Sequence, residues 1–320
     1  MTTQTSSACA RVGLLGNPSD LYGGKCLSYT IDRRAWVSVS RHDGNFPLVR
    51  SEEDVGVVLT EDSEYGGRHD LILALVKKLD LFNEQLLIKY STEIPVGAGL
   101  AGSSAILIAM TRALNGMFGW DMEKSEIAEI ALRAELDELG IAAGFQDRYS
   151  ISHGGITYMD FTGKERMHED DPYGVVTDLG EIEIPFFLCF SHHPKASSMV
   201  HNPVRRRYER GDKAIERAMR EIAGLAEQGA GALKARDWQY IGRLMRTNTA
   251  LRTKAGSSLK TDLTVIQRMI GLGALGAKVA GSGGAIVVLT EEEELQTVFS
   301  NASREYPCMR PTIVYPRDGA

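Results

Sequence analysis

Apolar residues recur at two spacings along this 320-residue chain. Short runs rich in aliphatic and β-branched side chains predict strands: "ARVGLLG" from Ala10, "RRAWVSVS" from Arg33 and "LLIKYS" from Leu86. From Ser104 the period lengthens, and "SAILIAMTRALNGMFG" predicts a buried helix. "MEKSEIAEIALRAELDELG" predicts a second helix, stopped by Gly140. Strand patterns return in "GGITYMDF" and "IPFFLCFSH". Beyond about residue 200 the pattern is helical. Asn202-Pro203 reads as a cap and first-turn pair, and "DKAIERAMREIAGLAEQ" as an amphipathic helix capped by Asp212. "TDLTVIQRMIGLG" predicts another helix, and "AKVAGSGGAIVVL" two strands around a glycine loop. Interleaved strands and helices indicate an α/β chain. The change of character near residue 180 divides it into 1–180 and 181–320.

Composition narrows the function classes. A net charge of −6 offers no electrostatic reason to bind nucleic acid or anionic membranes. Cys9, Cys26, Cys189 and Cys308 form no C-x-x-C pair, so neither a zinc site nor a disulfide framework is expected. No apolar run reaches the roughly 18 residues of a membrane span, and "MTTQTSSACARVG" lacks the basic start and apolar core of a signal peptide. A cytoplasmic, reducing location is the expectation.

The stretch "PVGAGLAGSSAILIAM" (95–110) places glycines directly ahead of the first predicted helix. Bare backbone N–H groups at the positive end of a helix bind phosphate, and Ser103 and Ser104 fall in its first turn. A flexible turn with a serine cap is the competing reading; the G-K-[ST] ending of a Walker loop is absent. In "GIAAGFQDRYSISHGG", Asp147 follows the small residues Ala142, Ala143 and Gly144, where a carboxylate can approach a substrate and take a proton. The commoner role of such an aspartate is a turn or helix cap. Ala128, Leu132, Glu135 and Leu139 share one helical stripe, so Glu135 is either a metal ligand or a half-exposed edge residue. "GSGGA" (281–285) alone would pass for a hairpin turn.

Four segments in order, "RVGLLGNPSDLYGG", "PVGAGLAGSSA", "E…AGFQD…GG" and "KVAGSGGA", resemble the GHMP kinases. Among them the chain is most similar to the plant-type glucuronokinase group, through "AGFQDRYSISHGGITYMDF" and "VRRRYERGD" as well. The resemblance implies a two-domain α+β fold, with an N-terminal domain like ribosomal protein S5 domain 2 and a ferredoxin-like C-terminal domain. It implies ATP phosphates on Pro95, Gly97, Ala98, Gly99, Leu100, Ala101, Gly102, Ser103, Ser104 and Ala105, with magnesium on Ser104 and Glu135. Asp147 would be the catalytic base and Arg11 its partner in activating the acceptor. Asp20 would bind sugar hydroxyls, with Gly155 among the substrate residues, and Gly281, Ser282 and Gly283 would close over the site; Tyr22 either lines the sugar site next to Asp20 or serves in packing. One departure is Ala101, an extra residue against the usual G-L-G-S-S.

The implied reaction is phosphorylation of the anomeric hydroxyl of D-glucuronate by ATP. A sugar acid needs an arginine, and Arg148 or one of Arg205, Arg206 and Arg207 is the candidate; Arg206 is the residue chosen from that run. Consecutive helical residues diverge by about 100°, so the three cannot share a ligand. His192, His193 and His201 lack metal-ligand spacing. The alternatives are another acceptor of the same superfamily (galactose, a heptose, a mevalonate derivative) or a non-catalytic binding protein. The latter would be expected to have lost Asp147, Glu135 or the loop glycines.

Overall fold

Seven strands form the first sheet: β1 (Thr3–Leu15), β2 (Lys25–Arg41), β3 (Leu48–Ser51), β4 (Val57–Val58), β5 (Leu86–Thr92), β6 (Ile156–Asp160) and β7 (Val175–Asp178). The computed structural model describes residues 3–51, 56–141, 143–164, 168, 170–191 and 198–316. The strand order is β4-β3-β5-β2-β6-β7, with β1 paired to β2. Every pairing is antiparallel except that of β3 with β5. From Ala8 onward β1 is buried on both faces, because helices α2 (Gly102–Phe118) and α6 (Lys213–Ala235) both pack on it. This explains why "ARVGLLG" is a continuous apolar run, not an alternating one.

A second, four-stranded antiparallel sheet follows: β8 (Phe186–Phe190), β9 (Gly276–Val279), β10 (Ala285–Leu289) and β11 (Cys308–Met309), ordered β11-β8-β10-β9. The remaining helices are α1 (Asp70–Lys78), α3 (Lys124–Arg133), α4 (Phe145–His153), α5 (Ser198–Glu209), α7 (Trp238–Ala255), α8 (Lys260–Gly271) and α9 (Leu295–Ala302). One apolar core runs through both halves, joining Leu15 and Leu27 to Leu225, Leu233, Ile241 and Val287. Phe187, Val265, Met269 and Ile286 form a smaller core beside the second sheet.

Several expectations are corrected. The helix predicted over 122–140 stops at Arg133 and continues as a π segment, Ala134–Glu138. A π turn widens the helix locally, and such turns concentrate at functional sites. Asp147 lies in the first turn of a helix, α4, where small and polar residues hid the period. Pro203 is inside α5 instead of opening it, where it removes one donor and its ring crowds the carbonyl four residues earlier. Cys189 and Cys308 face each other across β8 and β11, with Cα atoms 4.2 Å apart, and form a disulfide. Their 119-residue separation hid the pairing. Cys9 and Cys26 are free and buried. Among the described residues no helix is long and apolar enough to cross a membrane.

Candidate active site

The glycine stretch ahead of α2 folds as a tight loop. Gly97, Gly99 and Ala101 all have left-handed backbone, at φ 70°, 73° and 62°. Ala101 occupies the N-cap position of α2, and no side chain caps the helix, so the N–H groups of its first turn remain available. The serine-cap reading therefore fails. The loop is pinned from two sides. Arg11 Nη1 donates to the Gly99 carbonyl at 2.7 Å, and Ala285 N donates to the Ala98 carbonyl at 2.8 Å. A side chain on Gly99 would drive into the Gly283 carbonyl. Pro95, Gly97, Gly99, Leu100, Ala101, Gly102 and Ser103 line a cleft of about 550 Å³. Ala98, Ser104 and Ala105 are buried behind them, and the Ser104 hydroxyl has no hydrogen-bond partner.

Three carboxylates, Asp20, Glu135 and Asp147, line the same cleft. Asp147, in the first turn of α4, takes a hydrogen bond from Arg11 Nε at 2.8 Å through Oδ1. Its side chain is 26% exposed, whereas that of Arg11 is 4% exposed. Asp147 Oδ2 lies 3.9 Å from Arg148 Nη1, which leaves that oxygen open to a ligand. Asp20 sits in a short 3-10 turn (Ser19–Tyr22) and accepts from Gln146 N at 3.0 Å. Its close approach requires Gly144, where any Cβ would strike the carboxylate. Burial first, and the Asp147 charge second, push Asp20 up to about 6. Glu135 lies in the π segment, is buried, and forms an ion pair with Arg148; the edge-residue reading is thereby overturned. Burial holds Arg148 down at about 9, against the raising effect of Asp20. Arg148 Nη1 also donates to the Gly144 carbonyl at 2.8 Å.

The loop 280–284 between β9 and β10, the third glycine loop of the chain after 95–104 and 154–155, closes the cleft from the second sheet. Gly281 and Ser282 line it, while Gly283 turns behind them at φ 142°, packed against Asp262. Arg252 Nη1 and Asn17 Nδ2 both donate to the Gly281 carbonyl, at 3.0 and 3.4 Å. Sequence reasoning missed Asn17, Arg68 and Gln146, which also line the cleft, and the buried Lys278 and Arg252 behind it. A single lysine inside the apolar run "GAKVAGSGGAIVVL" was the available signal for Lys278.

Three candidates stand apart. Tyr22 is buried against Tyr208, ring centroids 4.3 Å apart, on the side of its turn away from the cleft. Gly155 is engaged with Thr30 and Val314. Arg206 is exposed on α5 and contributes nothing to the cleft wall, because its helix packs through Val204 against Leu21, Tyr22 and α6 instead. Arg205 pairs with Glu209, and Arg207 with Asp212. His192, His193, the His201 side chain and Ala142 lie outside the described residues.

The GHMP kinases N terminal domain family matches residues 70–155, and the GHMP kinases C terminal family matches 230–308. Probable glucuronokinase 2 of Arabidopsis thaliana is 35% identical over 88% of this chain and 83% of its own length. Glucuronokinase 1 of the same plant is 32% identical over 88% of this chain and 84% of its own. A galactokinase from Lactococcus lactis, solved with galactose, superposes with a TM-score of 0.81 at 14% identity, covering 98% of this chain and 94% of its own. A D-glycero-D-manno-heptose 1-phosphate kinase from Bacteriodes thetaiotaomicron gives 0.75 at 20% identity, covering 98% and 97%. The chain belongs to the GHMP kinases, ATP-dependent phosphotransferases with an alcohol group as acceptor.

Proposed function

We propose that the chain is a sugar-1-kinase, transferring the γ-phosphoryl group of ATP to the anomeric hydroxyl of D-glucuronate to give glucuronic acid 1-phosphate and ADP. One observation carries the reading: a part-exposed carboxylate, Asp147, held at 2.8 Å by Arg11, shares a cleft with a glycine loop at a helix mouth. Residues 1–180 supply the phosphate loop and the base, and 181–320 supply the closing loop. The acceptor is supported by the two plant relatives named glucuronokinases.

Phosphoryl transfer asks the protein for in-line positioning and for stabilisation of phosphate charge more than for covalent help. Backbone N–H groups of residues 97–103 hold the phosphates. Asp147 Oδ2, the oxygen that Arg11 leaves open, takes the acceptor proton. An anomeric hydroxyl is more acidic than an ordinary alcohol, so a weak carboxylate base suffices. Arg11 keeps Asp147 oriented. Asp20 and Gln146, whose Nε2 is buried without a partner, bind acceptor hydroxyls. Arg148 is the arginine of the candidate set that lines the cleft; its Nη atoms are held by Glu135 and the Gly144 carbonyl, and we assign its unpartnered Nε to the acceptor carboxylate.

The orphaned Ser104 hydroxyl and the Glu135 carboxylate are hard oxygen donors that fit magnesium, and these two would hold it. Magnesium, when bound, neutralises phosphate charge.

Measuring ADP release across D-glucuronate, galactose, a heptose and mevalonate tests the assignment. D-Glucuronate should be the best acceptor, and Asp147→Asn should lose at least about 10²-fold in kcat while the KM for ATP stays put. Turnover of mevalonate or galactose in preference would overturn the acceptor. Wild-type turnover by the variant would overturn the base.

A further inference from the structure

Behind the cleft, a chain of buried polar contacts crosses from the N-terminal strap to the third glycine loop. Lys278, on β9, is wholly buried. Its ammonium donates to the Gly13 carbonyl at 3.0 Å, to Asn17 Oδ1 at 2.7 Å and to the Val279 carbonyl at 2.7 Å. All three N–H bonds are used, and none reaches a carboxylate. A buried ammonium without a counter-ion is costly, so its hydrogen bonds are what hold it there. Burial, with Arg252 and Arg11 nearby, keeps its pKa well below the usual lysine value.

Asn17 is gripped at every polar atom of its side chain. Oδ1 takes the lysine, and Nδ2 donates to the Gly281 carbonyl at 3.4 Å. Its backbone carbonyl accepts from Asn248 Nδ2 at 3.2 Å, and Asn248 Oδ1 accepts from Gly16 N at 3.0 Å. Asp20 follows three residues later, on the strap that begins at Gly16. The segment carrying the acceptor-binding carboxylate is thus tied directly to the carbonyl of Gly281, at the cleft face of the closing loop.

We infer that Asn17 and Lys278 are positioning residues that couple the strap 16–22 to the third glycine loop, so that nucleotide in the cleft orders Asp20 for the acceptor. The inference rests on the reading above, in which that loop meets ATP phosphates and Asp20 meets the acceptor. Neither side chain is free to hold ATP: Lys278 is behind the cleft, and Asn17, which lines it, has both side-chain polar atoms taken by Lys278 and the Gly281 carbonyl, while the contacts to the phosphate loop come from Arg11 and Ala285.

Amide hydrogen exchange of the full chain, with and without a non-hydrolysable ATP analogue, tests this in wild type, Lys278→Met and Asn17→Ala. In wild type the analogue should slow exchange in residues 16–24 at least about fivefold. Both variants should still bind the analogue and protect residues 95–104, yet lose the slowing at 16–24. Their KM for the acceptor should rise about tenfold with the KM for ATP nearly unchanged. Slowing that persists in both variants, or a wild type that binds the analogue without it, overturns the inference. Should Lys278→Met fail to fold, as judged by far-UV circular dichroism, Asn17→Ala decides alone, because it leaves the lysine two carbonyl acceptors. A wild type with no protection at 95–104 would defeat the ATP reading itself, an outcome distinct from binding without coupling.

Discussion

Asp20 carries a stability cost that its role explains. Its carboxyl is buried beside Asp147 and titrates near 6 instead of 3.8. Between about pH 4 and pH 6 the folded chain keeps this proton while the unfolded chain releases it, so stability falls as pH rises through that window. The shift corresponds to at most about 3 kcal/mol. Asp20→Asn should therefore be more stable than wild type at pH 7.5, with the advantage disappearing by pH 4, while the KM for the acceptor rises. Urea unfolding at the two pH values reads the first part; an equal advantage at both would remove burial as the cause. Ala101 stores a smaller cost, since its left-handed backbone is worth roughly 1–2 kcal/mol for a residue with a Cβ. Arg11, Asp147, Glu135 and the loop glycines were legible because motif order identifies them. Asn17 was not, since its side-chain contacts span 261 positions or more and no local pattern records them, and Lys278 left only a lone charge inside an apolar run.

At the scale of elements, the junction between the π segment and α4 is the informative one. Glu135 and Arg148 come from these two elements and meet out of water, with side chains only 2% and 5% exposed. Removing one partner strands the other charge, which costs about 3–5 kcal/mol. Glu135→Leu and Arg148→Met should each destabilise by about that amount, and the double variant by clearly less than the sum. Additive losses in a denaturant cycle would show that the two groups are not energetically paired. Periodicity located α2, α6 and α8 because each has a long apolar face, and Asp212 does cap α6 by accepting from Ala214 N and Ile215 N. It missed α4, whose nine residues have hardly any amphipathic period, and it ran straight through the π segment, whose extra residue per turn leaves no compositional mark. The segments that bear the chemistry were the least regular, so the site was visible through motifs where the element was not.

The whole molecule has two sheets but one main core. Leu15 and Leu27 belong to the first sheet, yet they pack with Leu225 and Leu233 of α6, and the core continues to Val287 in the second sheet. Contact is so close that a Cβ on Gly229 would meet the side chain of Leu15. The polar ties at Asn17 and Arg11 reinforce the same boundary. Separation of the halves would expose this apolar surface and cost the buried Lys278 two of its three acceptors, the Gly13 carbonyl and Asn17 Oδ1, so neither half can melt far ahead of the other. Calorimetry should accordingly record a single transition with calorimetric and van't Hoff enthalpies in agreement. Leu15→Ala should lower that whole transition, at a cost of about 2–5 kcal/mol, without splitting it. Two resolved transitions in wild type, or loss of only one part of the heat in the variant, would mean that the halves fold as separate units and that the shared core contributes little to holding the cleft closed.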